Sequence, residues 1–325
     1  MQVQTRKVIL QVDHLKQYFP VKTNSLFKPK NYVKAVDDVS FELYEGETLS
    51  IVGESGCGKS TTGRAILRLD EPTSGKVHYS GKNILELNKR DMRKLRGELQ
   101  VIFQDPFASL NPRQTVKQIL NEAMAIQEVV PKKERLERML ELLSYVGLPP
   151  ESLNRYPHEF SGGQRQRIGI ARALAVDPRL IICDEAVSAL DVSIQAQILN
   201  LLKKLQRQFG LTFLFISHDL SVVRHISDRV MVMYLGKVVE IAEKKSLFDQ
   251  SFHPYTQALL SSIPVPNPKL NRDRVILKGD IPSPIDPPKG CRFNTRCPFV
   301  MDRCKTEEPE LREVKDNHFV SCHVV

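Results

Sequence analysis

The stretch GESGCGKST, residues 53–61, is the strongest indication of the fold. It fits the pattern G-x-x-x-x-G-K-[ST] and follows GETLSIVG, residues 46–53, which has the composition of a short buried strand. Glycines let successive backbone N–H groups converge on phosphate oxygens, and the positive end of the following helix points at the same anion. A glycine-rich turn with a chance lysine is the alternative, and the strand–helix context argues against it. We therefore predict a nucleotide phosphate loop made of Gly53, Glu54, Ser55, Gly56, Cys57, Gly58, Lys59, Ser60 and Thr61.

Within this loop two side chains carry chemistry of their own. Lys59 is expected to reach the β- and γ-phosphates of ATP, and the Ser60 hydroxyl is expected to bind Mg²⁺. The stretch LIICDE, residues 180–185, supplies an acidic complement at the end of an apolar strand. Asp184 is predicted to hold Mg²⁺ through water, and Glu185 to act as the general base for an attacking water. Adjacent acids alone indicate mere strand termination; together with the phosphate loop they favour catalysis.

Length and composition limit the class of protein. The 325 residues suit one large domain and an appendage, and the net charge of +9 suits an acidic partner or simple solubility. The first twenty residues lack the apolar stretch of a signal peptide, and the longest apolar runs fall far short of the ~20 residues that span a bilayer. We therefore predict a cytosolic protein in which thiols stay reduced.

The pattern of apolar residues predicts the main elements. Residues 7–13 and 35–43 alternate as half-buried strands do, whereas the runs at 180–184 and 211–217 are typical of buried parallel strands. Helical spacing covers residues 116–126, 132–146 and 193–209, and the last helix is expected to stop at Gly210. After residue 245 proline-dense stretches predict a linker that leads to a cysteine-rich tail.

Between the two catalytic stretches lies FSGGQRQRIGIARAL, residues 160–174. Together with the phosphate loop, FQD (103–105), ICDE (182–185), SALD (188–191) and SHD (217–219), it resembles the nucleotide-binding subunit of an ABC transporter over residues 7–245. The resemblance implies an α/β fold: a P-loop NTPase with a RecA-like core, an antiparallel β subdomain and an inserted helical subdomain at about 105–160. This domain spans residues 1–245, and a small Cys-rich C-terminal extension spans 246–325.

The resemblance also implies roles for residues outside the phosphate loop. Gln104 binds Mg²⁺ or the attacking water, and His218 positions the γ-phosphate. An aromatic residue near the N-terminal strand stacks on adenine; Tyr18 fits by order, but the adjacent Phe19 fits as well. Two such domains pack head to tail, so that each γ-phosphate lies between the phosphate loop of one domain and the signature of the other. The signature residues are Ser161, Gly162, Gly163 and Gln164, and the resemblance implies that Asp191 also contacts the nucleotide.

Four local stretches indicate which transporter. FQDPFASLNPR, YPHEFSGGQRQRI, HPYTQALLSSIP and GDIPSPIDPPKGCRFNTRCP resemble the second of the paired ATPases of dipeptide/oligopeptide permeases. The resemblance implies an ATP-hydrolysing importer subunit on the cytoplasmic face of the cell membrane. Its partners are a companion ATPase, two transmembrane permease subunits and, indirectly, an extracytoplasmic binding protein. Nickel, glutathione or oligosaccharide cargo is the alternative. A soluble ABC ATPase acting on the ribosome or DNA is a further rival, although no nucleic-acid partner is expected.

Four of the six cysteines lie in the tail, in the pattern C-x5-C-x6-C-x17-C. The residues alone leave three readings open: a [4Fe–4S] cluster, a zinc ion, or unligated thiols. Peptide-permease ATPases with this tail are understood to carry such a cluster, so the resemblance favours it, with Cys291, Cys297, Cys304 and Cys322 as ligands.

The residues around these cysteines suggest further roles. Neighbouring cations are expected to offset the charge of a thiolate cluster, and two histidines, His318 and His323, to replace cysteines if the metal is zinc. A redox or iron sensor that controls the ATPase is neither supported nor excluded. Cys57 and Cys183 are read as small buried residues. The four cations in question are Arg292, Arg296, Arg303 and Lys305.

Overall fold

A computed structural model describes residues 6–21, 31–263 and 277–325. The described residues divide into two compact units. The first unit comprises the described residues of Met1–Lys7, Tyr44–Thr48 and Glu86–Ile216. The second unit comprises the described residues of Val8–Leu43, Leu49–Leu85 and Ser217–Val325. Within the linker predicted after residue 245, Pro254–Ser261 forms a helix, and residues 264–276 lie outside the described residues.

The strands of the described residues are numbered in chain order. They are β1 Val8–Pro20, β2 Tyr32–Tyr44, β3 Thr48–Val52, β4 Ser74–Tyr79, β5 Lys82–Asn83, β6 Leu99–Ile102, β7 Leu180–Asp184, β8 Thr212–Ile216, β9 Arg229–Tyr234, β10 Lys237–Glu243, β11 Arg312–Lys315 and β12 His318–Val320.

The α-helices of the same residues follow the same numbering. They are α1 Lys59–Ile66, α2 Lys89–Leu95, α3 Pro106–Ser109, α4 Val116–Gln127, α5 Arg135–Val146, α6 Gly162–Leu174, α7 Val192–Phe209, α8 Leu220–Ile226, α9 Lys244–Asp249, α10 Pro254–Ser261 and α11 Asp302–Thr306. The predicted helices at 116–126, 132–146 and 193–209 are thus confirmed as α4, α5 and α7. Gly210 ends α7 in the left-handed conformation, as expected.

In the first unit the strands β8, β7 and β6 lie side by side in that order and run parallel. Their residues are apolar because a parallel sheet is covered on both faces; all of β8 is buried, and so is β7 up to Cys183. Helices α4, α5 and α6 pack against one another in the same unit. Of these three helices, α4 and α5 lie within residues 105–160, the range predicted to form a helical subdomain.

The second unit contains two sheets. One has the order β2-β1-β4-β5, with β4 antiparallel to both β1 and β5, as predicted for the β subdomain. The other has the order β11-β12-β10-β9-β3. In it β3 and β9 are parallel, whereas β9 with β10, β10 with β12, and β12 with β11 are antiparallel pairs. Because β12 pairs with β10, the C-terminal residues extend this sheet. The cysteine-rich segment therefore shares a sheet with the strand that precedes the phosphate loop.

Side chains from the C-terminal segment also enter the hydrophobic core of the second unit. Phe293 is 1% exposed and meets Tyr234 edge-on, with ring centroids 5.3 Å apart. Tyr255 completes this aromatic group at 5.5 Å from Phe293 and 4.7 Å from Tyr234. Large buried aromatic rings dominate the energetics of a core. The extension therefore contributes to the packing of the unit that contains the phosphate loop.

A buried carboxylate joins the C-terminal strands to β10. Glu240 is fully buried, and its oxygens accept hydrogen bonds from the backbone N–H groups of Phe252 (2.8 Å) and His253 (3.1 Å). Its Oε1 also lies 2.7 Å from Nε2 of His318 in β12. Since an unpaired buried carboxylate is very costly, these partners fix the position of the C-terminal strand.

The fully buried His253 gives the second unit a pH dependence. Burial lowers the pKa of His253 to about 4, although the charge of Glu240 opposes the shift. As the pH falls below 6.5, the unfolded chain binds a proton that the folded chain does not bind. We expect the free energy of unfolding to decrease between pH 6.5 and 4, by up to about 3 kcal/mol. Chemical denaturation at a series of pH values measures this change.

The matched variant for this measurement is His253→Asn. The imidazole Nδ1 of His253 accepts a hydrogen bond from the Tyr255 N–H at the start of α10 (3.1 Å), and an asparagine side chain makes the same kind of cap without titrating. The variant should therefore lose stability less steeply below pH 6.5. The same replacement at the exposed His158 should keep the slope of the parent. Equal slopes in His253→Asn and the parent would contradict the assignment.

Candidate nucleotide site

The phosphate loop lies between β3 and α1, as the sequence predicts. All three of its glycines have positive φ angles: 151° at Gly53, 79° at Gly56 and 104° at Gly58. A Cβ atom on Gly53 would lie 2.2 Å from the carbonyl oxygen of Met233, and one on Gly58 would lie 2.1 Å from that of Ala35. The loop backbone thus packs directly against backbone of β9 and β2, which only glycine permits.

Lys59, the first residue of α1, is directed back over the loop. Its Nζ donates hydrogen bonds to the carbonyl oxygens of Gly53 (2.9 Å) and Glu54 (3.0 Å). Its side chain is buried, so the ammonium is held inside the concavity of the loop. Cys57 is buried as predicted, and burial raises the pKa of its thiol. This cysteine therefore has a packing role.

The two aromatic candidates on β1 differ in their surroundings. The Tyr18 hydroxyl donates a hydrogen bond to Asp37 of β2, which fixes its ring, whereas Phe19 is 37% exposed. Burial and the hydrogen bond to Asp37 raise the pKa of Tyr18. Burial pushes the pKa of Asp37 upward, but Tyr18 and the charges of Lys237 and Arg292 outweigh it and lower that pKa. The choice between Tyr18 and Phe19 as the adenine-stacking residue stays a prediction.

His218 also lies in the second unit, two residues beyond the last residue of β8 in the chain. It is exposed and immediately precedes the residue that caps α8. Asp219 caps that helix by accepting a hydrogen bond from the Ser221 N–H at 2.7 Å. The cap fixes the backbone next to His218 and leaves its ring on the surface of the unit.

Two candidate Mg²⁺ ligands, Asp184 and Gln104, lie at one end of the parallel sheet in the first unit. Asp184 ends β7, and Gln104 follows two residues after the end of the neighbouring β6. Because the carboxyl ends of parallel strands meet at one edge, both side chains belong to the same end of this sheet. Carboxylate and amide oxygens are ligands that suit Mg²⁺.

Glu185 has a strained backbone. Its φ angle is 47°, in the left-handed region that non-glycine residues rarely adopt. Its N–H donates to the carbonyl oxygen of Ile216 (3.0 Å), and its own carbonyl accepts from both the N–H and the hydroxyl of Ser188, each at 3.0 Å. Such strain persists where surrounding contacts enforce it, and it clusters at functional positions.

The signature stretch opens helix α6 in the first unit. Ser161 and Gln164 form a capping box: the Ser161 N–H donates to the Gln164 side chain at 3.0 Å, and the Gln164 N–H donates to the Ser161 hydroxyl at 3.4 Å. A Cβ on Gly163 would lie 2.5 Å from Ile194 of α7. Ser161 and Gln164 are exposed, so this helix start lies on the surface of its unit. Asp191, which immediately precedes α7, is also exposed.

The four tail cysteines are free thiols in the second unit, and they influence one another electrostatically. Burial raises the pKa of Cys291 to about 11, and the charges of Cys322, Cys304 and Cys297 act in the same direction. The backbone links two of them directly, since the Cys291 N–H donates to the Cys304 carbonyl oxygen at 2.9 Å. Among the described residues, however, no three Cys, His, Asp or Glu side chains converge as ligands of one metal ion.

Two expectations about the surroundings of these thiols are wrong. Each of the four nearby cations forms an ion pair with a carboxylate and not with a thiol. His318 cannot replace a cysteine as ligand, because its Nδ1 is 2.8 Å from the Ser246 hydroxyl and its Nε2 bonds Glu240. His323 Nε2 lies 3.0 Å from the Glu307 carbonyl oxygen, and because this contact engages one ring nitrogen the expectation for His323 stays a prediction. The four ion pairs are Arg292–Asp37, Arg296–Glu54, Arg303–Glu307 and Lys305–Asp302.

Comparison with known proteins identifies the family. A family profile described as ABC transporter matches residues 36–188, and one described as Oligopeptide/dipeptide transporter, C-terminal region, matches residues 239–304. The oligopeptide transport ATP-binding protein AppF of Bacillus subtilis (strain 168) is 55% identical over 327 residues, which cover 100% of this chain and 99% of AppF. The chain belongs to the ABC transporter ATPases.

Further relatives agree with this membership. The putative oligopeptide transport ATP-binding protein YkfD of B. subtilis is 54% identical over 98% of this ABC ATPase and 96% of YkfD. Among solved structures, the dimeric bacterial ABC transporter cassette MJ0796 is 30% identical with a TM-score of 0.62, covering 72% of this chain and 98% of the cassette. Within the described residues of this ABC ATPase, no helix is long and apolar enough to cross a membrane.

Sequence reasoning misses the residues that hold the phosphate loop from the C-terminal side. The Tyr255 hydroxyl accepts a hydrogen bond from the Glu54 N–H at 2.8 Å, and Arg296 pairs with the Glu54 carboxylate. Both partners lie more than 200 positions from Glu54 in the chain, so no local pattern links them to it. Only the charge of Arg296 is visible in the sequence, and its position beside Cys297 pointed to the thiols.

Gly58→Ala tests the close backbone contact of the phosphate loop. Any alanine at a left-handed position costs about 1–2 kcal/mol. Because the new Cβ would also overlap Ala35, we expect a further loss of about 1–3 kcal/mol. Gly56→Ala is the matched control, since Gly56 has a φ of 79° but no atom lies within 4 Å of the place that its Cβ would take. Denaturant unfolding compares the two; equal losses would show that the contact has no role.

Proposed function

We propose that the chain is the ATP-hydrolysing subunit of an importer that takes up di- and oligopeptides across the cytoplasmic membrane. The observation that supports the cargo is the 55% identity with an oligopeptide transport ATP-binding protein over both full chains. The C-terminal region supports it as well, because it matches a profile described as Oligopeptide/dipeptide transporter, C-terminal region. Nickel, glutathione or oligosaccharide cargo remains the second reading, since cargo is selected by subunits other than this one.

ATP is proposed to bind at the phosphate loop. The loop N–H groups and the start of α1 receive the phosphates, with Lys59 on the β- and γ-phosphates and Tyr18 or Phe19 against adenine. The residues proposed to hold Mg²⁺ are Ser60, Gln104 and Asp184, whose hydroxyl, amide and carboxylate oxygens match the hard ligands that this ion prefers. Bound Mg²⁺ would neutralise charge that develops on the phosphates.

Hydrolysis is proposed to depend on Glu185, His218 and Gln104. Glu185 accepts a proton from the attacking water, while His218 and Gln104 orient the water and the γ-phosphate. The enforced backbone of Glu185 supports this assignment, because a base that is fixed in advance needs no reorganisation during the reaction.

A companion ATPase is proposed to complete each ATP site. The start of α6 is exposed and capped, and its first N–H groups are available to an anion supplied by another chain. Ser161, Gly162, Gly163, Gln164 and Asp191 are the residues that we assign to this contact. The cassette MJ0796 has a dimeric structure, which supports pairing of two such domains. Closure on ATP and release on hydrolysis would then move the helical subdomain against two permease subunits at the membrane.

Glu185→Gln tests the ATPase role. The amide cannot accept the proton, so we expect phosphate release to fall by about 10²–10⁴-fold while ATP still binds. Cells that carry only this variant should lose uptake of a labelled tripeptide. Glu98→Gln, an exposed change in the same unit but outside the helical subdomain, is the control and should keep both. Normal turnover in Glu185→Gln would exclude the residue as base; normal turnover in the parent without tripeptide uptake would exclude the peptide cargo.

We further propose that Cys291, Cys297, Cys304 and Cys322 bind a [4Fe–4S] cluster. The donor set fits: the four thiols belong to one neighbourhood, because burial raises the pKa of Cys291 and the charges of the other three cysteines act in the same direction, an arrangement that bound cations relieve. In such a cluster each cysteine binds a different iron, so the sulfurs need not meet around one ion. Zinc and unligated thiols are the alternatives. The cysteines lie outside the ATP motifs, which supports a structural role for the group.

Purification under argon tests the cluster. We expect a brown protein with broad visible absorption, about four irons and four sulfides per chain, and loss of colour on reduction. Cys304→Ser should lower the iron content, whereas Cys57→Ser removes a thiol outside the tail and should not. A colourless protein with one zinc, or a metal-free protein in which the tail thiols all react with a thiol reagent after denaturation, would overturn the proposal.

A further inference from the structure

The peptide between Cys291 and Cys297 carries two buried arginines, and each forms an ion pair with a carboxylate from a distant part of the chain. Arg296 makes two hydrogen bonds to Glu54, of 2.7 and 3.1 Å, and its side chain is only 7% exposed. Arg292 pairs with Asp37, and both of those side chains are less than a tenth exposed. A buried guanidinium that binds a carboxylate through two nitrogens is a strong and directional contact.

Glu54 is the second residue of the phosphate loop and is held from several sides. Its N–H donates to the Tyr255 hydroxyl and its carbonyl oxygen accepts from Lys59. Arg296 lies 3.4 Å from the Tyr234 hydroxyl as well as on the Glu54 carboxylate, and the hydrogen bond to Glu54 raises the pKa of Arg296. The orientation of Glu54 therefore depends on the C-terminal segment.

The charge of Glu54 makes this contact matter for ATP. A carboxylate in an anion-binding loop repels a triphosphate, and the repulsion is strong where water is excluded. The guanidinium of Arg296 neutralises that carboxylate and turns it toward the tail. Lysines or arginines on the surface are screened by solvent, but this pair is largely shielded from it.

The second arginine anchors the same peptide to Asp37 of strand β2. Asp37 accepts hydrogen bonds from Tyr18 and Arg292, and its N–H donates to the Gly236 carbonyl oxygen at 2.8 Å. The Gly236 N–H in turn donates to the carbonyl oxygen of Cys57 in the phosphate loop at 3.0 Å. The peptide of Cys291–Cys297 is thus attached through Asp37 and Glu54 to the two segments that carry the candidate ATP contacts.

We propose that Arg296 is a positioning residue for ATP: it neutralises and orients Glu54 so that the phosphate loop accepts the triphosphate. This inference rests on the proposed ATP site. It makes the cysteine-containing segment part of the support of that site, since displacement of the segment would leave a bare carboxylate in the loop.

A set of variants separates this electrostatic role from a packing role. Dissociation constants of a fluorescent ATP analogue are measured on the full chain with Mg²⁺. We expect Arg296→Ala to bind about tenfold more weakly, the effect of one uncompensated charge. Glu54→Gln should bind about threefold more tightly, because it removes the repulsion and frees the guanidinium. The double variant should recover to within about threefold of the parent.

Further measurements keep the proposal falsifiable if Arg296→Ala folds poorly. Arg296→Lys keeps the charge but loses the two-nitrogen contact, and we expect an intermediate affinity. Arg303→Ala is the matched control: it precedes Cys304, pairs with Glu307 and is 63% exposed, so it should bind like the parent. Thermal unfolding without nucleotide reports folding separately from affinity.

The outcomes are distinct. If Arg296→Ala lowers the unfolding temperature but binds like the parent, or if the double variant stays as weak as Arg296→Ala, the positioning role is wrong. If Lys59→Ala binds as tightly as the parent, the proposed ATP site itself is wrong. If Lys59→Ala loses binding while Arg296→Ala does not, the ATP site stands and only the inference fails.

Discussion

The close contact between the phosphate-loop backbone and two neighbouring strands is the constraint on which the second unit depends. Gly53 approaches the carbonyl oxygen of Met233, and Gly58 approaches that of Ala35, at distances that leave no space for a Cβ. The same contact brings the Gly236 N–H to the carbonyl oxygen of Cys57. The loop is therefore fixed by backbone before any ligand binds, which is the preorganisation that phosphate binding requires.

A loop held in this way has no room to adjust an unfavourable charge, and Glu54 supplies one. The protein solves this with contacts from far along the chain: Tyr255 binds the Glu54 backbone and Arg296 binds its carboxylate. Buried ion pairs contribute little net stability, but removal of one partner is strongly unfavourable. Such a pair is better suited to fix an orientation than to stabilise the fold, which agrees with its place beside a binding loop.

The sequence predicts those parts of the fold and of the candidate site that depend on local patterns. The apolar run LIIC at 180–183 predicts β7, and the helical spacing before Gly210 predicts α7, because burial and capping act over a few residues. The pairing of β10 with β12 joins residues about eighty positions apart and follows no local rule. His318 and Arg296 show the consequence: their closeness to cysteines in the sequence suggests a role at the thiols, whereas the fold places them on Glu240 and Glu54.

These contacts make the C-terminal segment a component of the unit that contains the phosphate loop. Strand β12 covers one edge of β10, Phe293 packs on Tyr234 and Tyr255, and Tyr255 holds the Glu54 backbone. Loss of this segment would expose aromatic surface next to the phosphate loop and leave Glu54 without its guanidinium. A metal group bound by the cysteines would then stabilise the phosphate loop without touching ATP. It would do so because the peptide that it orders carries Arg296, the partner of Glu54.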